Sequence, residues 1–231
     1  MSGLLCASVL LALWQGWLYP AIHSNTRPDD RPVVIVDPGH GGIDGGSSWH
    51  RPGADVPEKD INLAIALNLR DLLEINGFHA VMIREDDRSI SSPGTATVRQ
   101  QKVSDIKNRL AVAEKYPDGI LVSIHQNSYP ASYVKGAQVF YGAKDERSTA
   151  LAQTMQANFK ALLDSSNDRK AKKIGGGVYL TQNAPNVSVL VECGFLSNQT
   201  EAALLADHDY QKKTAFVIFV SIVQFMAAQN G

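Results

Sequence analysis

Two histidines and a glutamate stand at the ends of apolar runs, where a folded chain can bring distant residues together. Val33-Val34-Ile35-Val36-Asp37 leads into Pro38-Gly39-His40-Gly41-Gly42, and Gly119-Ile120-Leu121-Val122-Ser123-Ile124 leads into His125-Gln126-Asn127. Val187-Ser188-Val189-Leu190-Val191 ends in Glu192-Cys193-Gly194. Such runs read as strands buried on both faces, and in open α/β sheets ligands collect at the carboxyl ends of strands. Two imidazoles delivered there, with one carboxylate, form a set that holds zinc and leaves a coordination position for water. Asp55, Glu58 and Asp60 are the candidate carboxylates. Glu58 is preferred, because the chain returns there from a Gly-rich loop toward the strand ends, and Asp60 better suits the N-cap of the helix that follows. A lone histidine in a loop is usually only a hydrogen-bonded side chain; two at equivalent strand ends point to a shared ligand. His50, in the same loop, is the substitute, whereas His23, His79 and His208 lack that placement.

Glu192 points to a second role. An ionised carboxylate closing an apolar strand is costly to bury unless a cation or hydrogen bonds compensate. Beside a zinc ion it would have such a partner; its structural alternative is an ion pair with Arg84 or Arg109. Side chains alternate along a strand, so Glu192 and Cys193 face opposite ways and only one can serve the site. This disfavours a Cys193 nucleophile paired with His40 or His125. A phosphate cradle is excluded: position 44 is Asp where the dinucleotide fingerprint needs Gly, and no Lys-Ser/Thr of a P-loop follows.

The elements that must position these residues alternate. After the Val33 strand and a Gly-rich loop (41–53), Asp60 opens a helix with apolar residues at 61, 65, 69, 72 and 73 that stops at Asn76-Gly77. A strand over 78–84, a long exposed loop over 85–104 and a short helix over 105–115 precede the Ile120 strand. A strand at 139–141, a helix over 147–163 and a basic polar loop over 164–177 precede the Val187 strand. Helices at about 200–206 and 209–228 complete the chain. The last contains a nearly apolar run, Ala215 to Val223, which is too short to span a bilayer and predicts burial against the sheet. Strand and helix alternation predicts a single α/β domain with a mostly parallel sheet covered on both faces.

The 231-residue length, with 44% hydrophobic and 19% charged residues, suits one globular domain. A formal net charge of -1 gives no electrostatic footprint for nucleic acid. Cys6 and Cys193 form no disulfide framework. Residues 3–19 carry no charge and include Trp14, Trp17 and Tyr19. Residues 1–19 thus read as an N-terminal membrane anchor or signal segment, with an uncleaved anchor favoured. Residues 20–32, polar and proline-studded, read as a tether to a catalytic domain over 33–231.

With these residues in place the chain resembles the zinc-dependent N-acetylmuramoyl-L-alanine amidases of bacterial cell walls. Six ordered elements carry the resemblance: Val-Asp-Pro-Gly-His40-Gly-Gly-x-Asp-x-Gly, Glu58-Lys-Asp-Ile-Asn62-Leu, Ile-Arg84-Glu-Asp-Asp, Asn-Arg109-Leu-Ala, Ser-Ile-His125-Gln-Asn127 and Leu-Val-Glu192-Cys-Gly-Phe-Leu-Ser-Asn198. An anchor followed directly by the catalytic domain looks most like the germination-specific CwlD type of endospore formers. The resemblance implies a mixed sheet flanked by helices, zinc held by His40, Glu58 and His125, and Glu192 as catalytic acid/base. It further implies hydrolysis of the amide between the lactyl group of N-acetylmuramic acid and L-alanine in peptidoglycan, in spore cortex maturation. Its partners would be glycan strands with stem peptides, an activator protein, and the membrane through the N-terminal segment, in an extracytoplasmic location. Gln126 departs from the small residue usual after the second histidine, and no helical plug fits between Tyr141 and Val178. The competing readings are a zinc peptidase cutting within stem peptides and a non-catalytic wall-binding module.

Overall fold

The computed structural model describes residues 30–229. The predicted anchor and most of the tether lie outside them. In chain order the elements are β1 (Val33–Pro38), β2 (Ser48–Arg51), β3 (Ala54–Pro57), α1 (Glu58–Ile75), β4 (His79–Met82), α2 (Val98–Glu114), β5 (Ile120–Asn127) and β6 (Gln138–Tyr141). Then follow α3 (Arg147–Asn158), which runs on as a π-turn over Phe159–Leu163, β7 (Lys172–Lys173), α4 (Tyr179–Asn183), β8 (Val187–Phe195), α5 (Gln199–Leu205) and α6 (His208–Gln229).

Six strands make one sheet in the order β4-β1-β5-β8-β6-β7. β4, β1, β5 and β8 run parallel, while β6 runs antiparallel to β8 and parallel to β7. The mostly parallel sheet expected from the alternation is therefore present, and it is mixed, as the resemblance implies. Its central strands are apolar on both faces because helices cover both. On one face Ile61, Ile65, Leu69 and Leu73 of α1, Leu151 and Met155 of α3, and Ile218 and Ile222 of α6 bury Val34, Val36, Val122, Val189 and Val191. On the other, Ile35 and Leu121 meet Ala113 of α2 and Leu180 and Ala184 at α4. That second layer is thin, and it leaves room over the strand ends.

Four expectations need correction. α2 begins at Val98, not 105, because Thr97 and Gln100 form a reciprocal capping box that stops fraying of the polar first turns. Thr97→Ala is expected to lower the unfolding free energy by about 1 kcal/mol, read from the urea midpoint. The Gly-rich loop contains the β2–β3 hairpin, turned at Pro52-Gly53, and the loop over 164–177 contains β7. Asp60 does not cap α1: the helix starts at Glu58 with Pro57 at the N-cap, which puts Asp60 in the first turn. The apolar run of α6 is buried in the core under the sheet, as expected, where the helix lies against α1 and α3 with Phe219 edge-on to Phe78 at 6.3 Å.

Candidate metal centre and active-site cleft

β1 breaks at Pro38 because its last turn must reverse around a side chain. His40 has φ +63°, a left-handed backbone that costs a residue with a Cβ about 1–3 kcal/mol. Two buried arginines fix this turn. Arg84 donates from Nε to Pro38 O (3.0 Å) and from Nη2 to Gly39 O (3.0 Å). Arg109 donates from Nη1 to Pro38 O (3.0 Å) and from Nη2 to His40 O (2.6 Å). Arg109 is itself held by Asp37 and Asp105, and Ser123 donates to Asp37. Burial alone would raise the Asp37 carboxyl, yet Arg109 and Ser123 hold it below the usual carboxylate range. Gly39 needs no Cβ because the His125 ring occupies that space, and a side chain at Gly46 would strike Glu58 and His40.

Glu58 enters as the first residue of α1, buried at the helix N-terminus where backbone N–H groups favour a negative charge. Its Oε2 accepts from Ser47 N (2.8 Å) and its Oε1 from Gln126 N (3.1 Å). His40 Nε2 lies 3.2 Å and His125 Nδ1 3.0 Å from the same Oε1. The two rings sit edge to face with centroids 5.0 Å apart. One donor atom from each of His40, Glu58 and His125 falls within 4.8 Å of the others. On the far side of His40, Nδ1 lies 3.0 Å from Asp44 Oδ2, and Lys102 Nζ donates to Asp44 Oδ1 at 2.8 Å. This fixes which nitrogen of His40 faces Glu58.

The electrostatics suit a cation. Burial disfavours charge on both partners, but the two imidazoles hold Glu58 well below the usual range. Burial likewise opposes a charged His40 ring, and hydrogen bonds to Asp44 and Glu58 outweigh it, lifting His40 to about 9. A site that draws a proton between two carboxylates draws a divalent ion by the same field. The two nitrogens and one carboxylate fit a divalent transition metal.

Glu192 pairs in register with His125 across β8 and β5, and both line a cleft of about 440 Å³ with His40, Asp44, Lys102 and Tyr179. Its Oε2 is shielded from solvent and has no hydrogen-bond partner. Burial pushes the carboxyl up to about 7; His125 and His40 oppose the shift and Glu58 adds to it. The ion pair with Arg84 or Arg109 is absent, since both arginines are spent on the β1 turn. Cys193 faces the opposite core, where burial pushes its thiol far above the ordinary range, so it is no nucleophile for this cleft.

Residues 34–224 match the family profile described as N-acetylmuramoyl-L-alanine amidase. The chain belongs to the N-acetylmuramoyl-L-alanine amidase family. It is 34% identical over 217 residues to the germination-specific N-acetylmuramoyl-L-alanine amidase of Bacillus subtilis, covering 94% of this chain and 86% of the relative. The solved CwlD amidase of Clostridioides difficile, in complex with the GerS lipoprotein, superposes with a TM-score of 0.81 at 38% identity over 86% of this chain and all of that one. A second amidase structure, from Clostridium difficile 630, gives 0.70 at 28% identity over 85% of this chain and 97% of the other. As an amidase of this family the protein is an enzyme of peptidoglycan, acting outside the cytoplasm, and its His40, Glu58 and His125 cluster suits the family's metal dependence. Among the described residues no helix is long and apolar enough to cross a membrane.

The remaining sequence candidates lie apart from the amidase cluster. Asp55 and His50 pair with each other on the exposed β2–β3 hairpin, with side chains 63% and 76% exposed, and Asp60 points to solvent. His79 stacks edge-on against Tyr116, and His208 begins α6; His23 lies outside the described residues. Gln126 faces away from the cleft and is buried, so it is no substrate contact. Sequence reading missed Asp44 and Ser47 because loop geometry brings them in. It also assigned no role to Asn62, although the i,i+4 spacing from Glu58 places both on one helix face.

Proposed function

We propose that the metal is zinc, held by His40, Glu58 and His125, and that Glu192 is the general acid and base for cleavage of the amide between the muramyl lactyl group and L-alanine. The observation that carries this reading is the three-donor cluster with the unpartnered Glu192 oxygen lining the same cleft. A zinc ion there would lower the pKa of a water from about 15.7 to about 7 and polarise the lactyl carbonyl. Glu192 accepts the proton of the attacking water and delivers it to the departing alanine nitrogen, so that acid and amine leave with the bond broken. A carboxyl near 7 can hold that proton between the two transfers.

The 34% identical relative supports a role in germination, within the spore-cortex role that the sequence resemblance implies, and the 38% identical structure supports a lipoprotein of the kind bound there as activator. The uncharged residues 3–19 support an anchor over 1–19 and a tether over 20–32 ahead of the catalytic domain over 33–231. Mass spectrometry of digested peptidoglycan tests the chemistry: free lactyl carboxylate with intact stem peptides is expected. Shortened peptides would instead indicate a peptidase, and chelator-insensitive binding without products a wall-binding module. His125→Ala is expected to lose both zinc and turnover, checked by metal analysis of the purified chain.

A further inference from the structure

One buried amide touches all three segments that converge on the centre. Asn62 is fully enclosed on α1, one turn after Glu58. Its Nδ2 donates to Glu58 Oε1 at 3.3 Å and to Gly39 O, the residue before His40, at 3.2 Å. Its Oδ1 accepts from Gln126 Nε2, the residue after His125, at 3.1 Å. Gln126 is also buried, and its backbone N–H donates directly to Glu58 Oε1 at 3.1 Å. Asn62 therefore grips Glu58 itself and the immediate chain neighbours of both histidines, from the core side, without touching the cleft.

We propose that Asn62 is the positioning residue of the metal centre: a hub that sets the mutual spacing of His40, Glu58 and His125, with Gln126 as the arm that ties β5 into it. This rests on the metal reading of that cluster. The physical reason is cost. Three ligands on three separate segments must be held against relaxation before the ion arrives, and an outer partner that orients a ligand is worth about 10–100-fold in metal affinity. An asparagine suits the position because it supplies two donors and one acceptor without charge, leaving Glu58 ionised. Gly39 has no side chain, and the His125 ring fills the space that a Cβ there would take.

The test is zinc affinity of the full chain, measured by competition with a chromogenic chelator, together with the visible spectrum of the cobalt-substituted protein and the melting temperature without metal. Asn62→Leu, which keeps the branching and the number of side-chain heavy atoms, is expected to weaken zinc binding about 10–100-fold and to alter the cobalt spectrum. Gln126→Met is expected to weaken binding less, and the double variant no further than Asn62→Leu alone, because both act through one hub. If Asn62→Leu does not fold, Asn62→Ser and Gln126→Met carry the same comparison. A lowered melting temperature with unchanged zinc affinity and cobalt spectrum would assign Asn62 to packing only and overturn the proposal. Additive losses in the double variant would also overturn it. A parent chain that binds no zinc would instead defeat the metal reading itself.

Discussion

Glu192→Ala retains its metal and loses about 10²–10⁴-fold in turnover, the range expected when a positioned general acid and base is removed. The separation follows from geometry. Glu192 is not one of the three clustered donors, and its Oε2 makes no hydrogen bond to any of them, so its loss leaves the cluster's own contacts intact. The side chain also stabilises nothing by ion pairing, because the nearby arginines are committed to β1. Replacing a buried carboxylate without a partner removes a desolvation cost, so the variant is expected to melt no lower than the parent. Metal analysis, thermal melting and release of lactyl carboxylate from peptidoglycan give three independent readings. Retained amide cleavage at the parental rate would strip Glu192 of its role, and loss of metal would move it into the ligand set. Glu192→Gln separates proton transfer from shape, and the same loss of turnover is expected.

Arg109→Leu is expected to destabilise the fold by about 3–5 kcal/mol, the cost of breaking a buried pair and stranding its partner. Asp37, 2% exposed, would keep only the Ser123 hydroxyl, and the carbonyls of Pro38 and His40 would each lose a donor. The pH dependence gives the variant a signature. In the parent, Asp37 has a depressed carboxyl, so its stabilisation is complete above the unfolded value near 3.9 and is lost as pH falls through the folded value. Without Arg109, burial dominates and raises Asp37 above its unfolded value. Its contribution then reverses sign, and the variant gains stability as the carboxyl protonates. Urea unfolding from neutral pH down through about pH 3 checks this: a variant whose stability drops on acidification as steeply as the parent's would show that Arg109 does not control Asp37.

Much of the site was legible because its signals are local. A β-branched run followed by Pro-Gly-His-Gly-Gly can end a strand in only a few ways, and strand alternation by itself separates Glu192 from Cys193. Glu58 is preferred over Asp55 and Asp60 on chain direction and on Asp60 as an N-cap; the second ground fails, since Pro57 takes that position, yet the fold brings only Glu58 to the histidines. What stayed hidden depends on contacts across the chain. Arg109 reads as a possible partner of Glu192, yet its partner is Asp37, 72 residues away. The start of α2 carried a readable capping signal, Thr97 and Gln100, that a polar helix face masked. The β2–β3 hairpin is held by pairing within a glycine-rich stretch, where residue propensity says little.

The polypeptide enters the sheet at the end opposite the cleft. β1 begins at Val33 and hands over His40 beyond its other end, six strand residues later, which at about 3.3 Å per residue separates the two by roughly 20 Å. If the anchor proposed above holds the first residues to lipid, the amino ends of the strands lie on the bilayer side and the cleft opens to the wall. Reach would then be set by the tether, and the same catalyst on a longer leash would graze a deeper layer of the polymer.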